Sequence, residues 1–152
     1  MARVTGTLVF DTADISSDSI SSTTQIDNDK LQHLYKASTH FDLAVTGTPV
    51  ARHEIVYVAD KAGTIRNFNA LCYDTGTSAS VTFDLKKNGT SVLSAPITIT
   101  NATSDKAVVA GTITTSTISI GDVITMELAV SSSTGMQGPY AWAVIEENGA
   151  PT

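Results

Sequence analysis

Three histidines, one cysteine and a string of aspartates are the residues of this chain that could do chemistry, and their spacing sets what is open to them. His33, His40 and His53 form no His-x-x-x-His zinc pair, with or without a flanking glutamate. Serines are many, yet none stands in Gly-x-Ser-x-Gly, the turn that raises a nucleophile. Neither a glycine-rich phosphate loop nor Gly-x-Gly-x-x-Gly is present. Asp11, Asp14 and Asp18 are not spaced as the Asp-x-Asp-x-Asp-Gly loop that a calcium ion's oxygen shell requires, and read as a solvated acidic stretch. Cys72, the single cysteine, excludes an intrachain disulfide. It sits in the apolar run Ala70-Leu71-Cys72-Tyr73 and reads as a small buried hydrophobe, since nothing electropositive nearby would make its thiolate. Glu146-Glu147 reads as a solvent-exposed strand end. The expectation is a protein without enzymatic activity, cofactor, metal or small-molecule substrate.

Composition narrows the partners. The chain has 152 residues and a formal net charge of −6, with no cluster of Lys or Arg. One domain fits this length, with a core that needs no disulfide. A nucleic-acid role would need a basic footprint. Charged residues make up only 16%, while Ser and Thr abound, giving an uncharged, β-prone surface suited to extended protein contacts. Met1 to Gly6 leads into polar sequence, with neither the apolar core of a signal peptide nor a membrane span. Asn88-Gly89-Thr90 and Asn101-Ala102-Thr103 match the glycosylation sequon but read as turns.

The elements that must position any functional residue are strands. Val81, Phe83 and Leu85 alternate with Thr82, Asp84 and Lys86, and Asn88-Gly89 then turns the chain toward Val92-Leu93. Asn-Gly between alternating runs predicts a type I′ hairpin, because both central residues need positive φ. Eight strands are predicted: 52–59, 64–73, 79–87, 90–100, 106–114, 117–120, 123–130 and 140–147. Turn residues separate them, and Pro96 marks an edge or a bulge in the fourth. The fold class expected is all-β, an eight-stranded antiparallel jelly-roll-like β-sandwich over 51–147, with an extended N-terminal arm over 1–50 and a tail over 148–152.

The last predicted strand sets Tyr140, Trp142 and Val144 against Ala141, Ala143 and Ile145, so both faces are apolar. One face belongs to the core. The other would meet a neighbouring subunit or the chain's own arm. Within the arm, residues 30–36 fit one helical turn or a short strand equally well, and Gly47-Thr48-Pro49 breaks the chain. The isolated hydrophobes Val4, Leu8, Phe10, Leu31, Leu34, Tyr35 and Phe41 lie in polar, acidic sequence. Together with Tyr140 and Trp142 they are the predicted partner-binding residues.

Two fragments carry a resemblance. Phe83-Asp84-Leu85-Lys86-Lys87-Asn88-Gly89-Thr90 and Ile120-Gly121-Asp122-Val123-Ile124 resemble the strand–Asn-Gly–strand and Gly-Asp corner of C1q/TNF-like jelly rolls, which implies a homotrimer. With Gly63-Thr64-Ile65 and the segment 30–35, the pattern over 30–147 also resembles small jelly-roll structural proteins of tailed bacteriophages, among them capsid decoration, or cement, proteins. That resemblance implies a protein of the virion surface, present in host cytoplasm before assembly, that binds the major capsid protein and braces the shell. The alternative it leaves is a receptor- or glycan-binding module of a tail fibre or baseplate. Neither nucleic acid nor membrane is an expected partner.

Overall fold

The computed structural model describes residues 33–41 and 46–148. Their elements are all strands: β1 His33–His40, β2 Arg52–Val58, β3 Gly63–Lys87, β4 Thr90–Ser91, β5 Ile97–Thr100, β6 Val109–Ala110, β7 Thr117–Ile118 and β8 Val123–Glu147. All pair antiparallel. The architecture is the all-β sandwich that the alternation predicts.

Its frame is a pair of 25-residue strands. β3 and β8 run antiparallel along their whole length, from Gly63 opposite Glu147 to Lys87 opposite Ile124. The predicted strands 64–73 and 79–87 are therefore one strand, as are 123–130 and 140–147. What reads as a turn at Asp74-Thr75-Gly76 is a bend inside β3. There the register slips between Thr75 and Ser78, and Gly76 (φ 71°) meets Gly135 (φ 77°) of β8. The backbones approach so closely that a Cβ on Gly76 would lie 2.5 Å from the Met136 nitrogen. Asp105 pins the bend from outside: its carboxylate accepts from the Thr75 N–H at 2.9 Å and lies 3.0 Å from the Thr75 hydroxyl. Asp74 accepts from the Gly76 N–H at 2.8 Å.

Each half of the folded pair carries its own neighbours. One layer is β1, the second half of β8, the first half of β3, and β6 with β7. The other is β2, the first half of β8, the second half of β3, and β4 with β5. Alternation sends Ile65, Phe68, Ala70, Cys72, Ala141, Ala143 and Ile145 inward from the first layer. Val81, Phe83, Leu85, Ile124, Met126 and Leu128 face them from the second. Strand side chains alternate with period two, so one face of each layer supplies most of the core.

The sandwich starts earlier than position 51. Of the two conformations open to residues 30–36, the described residues take the strand. β1 pairs with β8 in unbroken register from His33 opposite Glu147 to His40 opposite Tyr140. Phe41 then enters the core, where its ring meets Phe83 edge-on at 5.7 Å. The predicted strand 90–100 divides into β4 and β5 around Pro96, and 106–114 and 117–120 shorten to β6 and β7. The arm before His33 and the tail beyond Asn148 lie outside the described residues.

The Asn-Gly hairpin forms as predicted. Asn88 (φ 49°) and Gly89 (φ 83°) join Lys87 to its partner Thr90. Asn88 also receives the Val123 N–H at 2.9 Å and donates to Asp122 at 2.7 Å, which ties the hairpin to the Gly121-Asp122 corner. Nothing lies within 4 Å of a Cβ built on Gly89, so a substitution there costs backbone strain alone. Gly89→Val should lower stability by about 1–2 kcal/mol, read as a shifted urea midpoint. An unshifted midpoint would contradict the turn geometry.

Candidate functional site

The second half of β8 splits its side chains cleanly. Ala141, Ala143 and Ile145 are fully buried, while Tyr140, Trp142 and Val144 stand half-buried on the outer face of the first layer. Cross-strand neighbours complete that face. From β1 they are His40 opposite Tyr140, Ser38 opposite Trp142 and Lys36 opposite Val144. From β3 they are Leu71, Asn69 and Asn67 in the same order. The His40 and Tyr140 rings lie 4.6 Å apart, and the Tyr140 and Trp142 rings 5.5 Å apart at an interplanar angle of 27°. The Lys36 ammonium sits 5.1 Å from the Trp142 centroid and 5.7 Å from that of Tyr140. A cation held over two stacked rings fixes all three side chains at low entropy, which is how a preformed contact surface is built.

The opposite outer face is of another kind. Glu127 on β8 bridges His53 Nε2 at 2.9 Å and the Lys86 ammonium, and Asp84 accepts from the Ser91 hydroxyl at 2.7 Å. Its polar groups are satisfied by one another. That face also exposes Ile55 (68%) and Val58 (51%), opposite Thr125 and Val123, so what sets the aromatic face apart is its row of rings held under a cation.

The predicted partner-binding residues separate into four groups. Tyr140 and Trp142 stand together on the aromatic face. Leu34 (66% exposed) shares that face, opposite Glu146. Tyr35 (44% exposed) points the other way, beside His33 at the sandwich margin. Phe41 is a correction: it is fully buried against Phe83 and is a core residue. Val4, Leu8, Phe10 and Leu31 lie outside the described residues. Lys36 and His40 belong to the site and carried no sequence signal of their own, because only the β1–β8 register brings them to the rings.

Glu146-Glu147 is a second correction, since both residues are only 7% exposed. The Arg66 guanidinium pairs with Glu146, and the Tyr57 hydroxyl donates to Glu147. Cys72 is buried as expected, and desolvation pushes its thiol up to about 12. Among the described residues no group of three or more His, Cys, Asp and Glu side chains could hold a metal ion.

Among the described residues three carboxylates titrate below their ordinary range. The Arg66 hydrogen bond lowers Glu146, the Thr75 backbone N–H lowers Asp105, and the Ser119 backbone N–H lowers Asp122. A depressed folded-state value contributes stability that is present above the unfolded value, about 4, and is lost as pH falls through the folded one. The melting temperature should therefore hold from neutral pH down to about pH 5 and drop below about pH 4. A melting temperature that rises on acidification would contradict these pairings.

Comparison of the chain with protein-family models and with curated proteins finds no match.

Proposed function

We propose that this chain is a non-enzymatic structural protein of a phage virion, a capsid decoration protein that docks on the outside of the head and braces it. The observation that carries the docking is the preformed aromatic face of Tyr140, Trp142, His40 and Lys36 on one outer layer. The setting on a phage head rests on the resemblance of Gly63-Thr64-Ile65, the Asn88-Gly89 hairpin and the Gly121-Asp122 corner. Its partner there is the major capsid protein. The homotrimer implied by the C1q/TNF-like pattern is the oligomer to test against.

A glycan-binding module would use the same rings differently. Sugars stack on open ring faces, whereas Tyr140 and Trp142 stack on each other beneath Lys36. The rings are engaged by one another and by Lys36, and the exposed ammonium suits the carbonyls and carboxylates of a protein surface.

The test compares the wild-type chain with the double variant Tyr140→Ser, Trp142→Ser on phage heads stripped of it. Both should fold alike, since neither side chain is in the core. The variant's affinity should fall at least about thirtyfold, the loss of a central aromatic anchor. Equal attachment would move docking to another surface. Attachment to cells or glycan arrays, with none to heads, would replace decoration by receptor binding.

A further inference from the structure

A sheet edge is a row of unpaired N–H and C=O groups, and proteins blunt it with short strands, proline, bulges or inward-pointing charges. Most edges here are blunted. On the β3 side the bordering strands are two to four residues long, and Pro96 lies between β4 and β5. β2 carries a bulge between Ile55 and Tyr57. Its Arg52 and Glu54, 3.6 Å apart, sit opposite the inward-facing Leu128 and Met126, so an ion pair points into the sandwich margin.

Lysines on the edge serve the same purpose, and of all these devices β1 carries only Lys36. The strand's eight residues keep one register, and among the described residues it pairs with β8 alone. The Phe41 N–H donates to the Pro139 carbonyl at 3.1 Å in that same register. Odd-numbered residues therefore turn their backbone groups to β8, and Leu34, Lys36, Ser38 and His40 turn theirs to the open edge. Lys36, the one formal charge on β1, leans over the Tyr140 and Trp142 rings and away from that edge.

We propose that the β1 edge binds the β1 edge of a second copy, antiparallel, about a twofold axis at Ala37. Pairing must join even-numbered residues to even-numbered ones, because these carry the outward backbone groups. Centring on Ala37 opposes Lys36 with Ser38 and Leu34 with His40, so no like charges meet. Centring on Lys36 would set two lysines face to face, which antiparallel pairs disfavour. With the Ala37 axis, both outer faces lie on the same side, and the two aromatic patches join into one continuous surface. The closed unit is a dimer, where the jelly-roll resemblance implies a trimer. This pairing does not depend on the phage-head reading.

Sedimentation equilibrium of the full chain tests it with two variants of opposite charge at exposed Ser38. Ser38→Lys opposes lysines across the axis twice, and should raise the dimer dissociation constant about tenfold. Ser38→Glu opposes Glu to Lys36 and should lower it. Circular dichroism should show the same fold for all three proteins. The expected result is a wild-type dimer with the two variants moving apart in opposite directions. A wild-type monomer or trimer, or a dimer indifferent to both substitutions, would overturn the proposal. A dimer that fails to attach to heads would remove the decoration reading and leave this one standing.

Discussion

Gly76→Ala should cost about 3–5 kcal/mol and shift the urea midpoint sharply down. The added Cβ would stand 2.5 Å from the Met136 nitrogen and closer still to the Thr134 carbonyl oxygen, both backbone atoms of the partner strand. No rotamer change relieves such an overlap, so the β3–β8 pair must separate where it bends. The residue would also have to hold φ at +71°, a conformation in which an alanine is strained. Domains of this kind are stable by about 5–15 kcal/mol in total, so the loss is a large share. Urea unfolding monitored by Trp142 fluorescence measures it. A loss below about 1 kcal/mol would show that the two backbones do not approach this closely at the bend.

Phe41→Ala has the second largest expected effect, about 3–5 kcal/mol. The ring is fully buried, and its edge-on contact with Phe83 joins β1's layer to the facing one. Alanine would leave a cavity between layers that are held apart by other large side chains, among them Phe68 and Leu85. The site can collapse only partly, so the cavity adds to the lost transfer free energy. If Phe41 instead served a partner on the surface, its removal would weaken attachment and leave the urea midpoint in place. The two readings thus separate on stability alone.

Short-range chemistry was legible in the chain. The Asn88-Gly89 turn, the alternation around Phe83, the break at Pro96 and the buried Cys72 each rest on a few adjacent residues. Asp74-Thr75-Gly76 was misleading for a physical reason: turn chemistry marks any tight change of direction, and here a strand bends without ending. β1 was ambiguous because seven residues cannot set a period, and the partner that decides its conformation is a hundred residues away. The same distance hid the aromatic site. Tyr140 and Trp142 were visible as an apolar outer face, but Lys36 and His40 reach them only through pairing. Glu146 and Glu147 looked solvent-exposed since their partners, Arg66 and Tyr57, lie 80 and 90 positions earlier.

The most direct measurement of the docking claim is a density map of phage heads carrying the bound chain. The expected map shows a sandwich on the outer surface of the head, with Tyr140, Trp142, His40 and Lys36 turned toward the major capsid protein. The Glu127, His53 and Lys86 face should then look out to solvent. A map with the aromatic face turned to solvent, or with the chain in the tail and absent from the head, would contradict it.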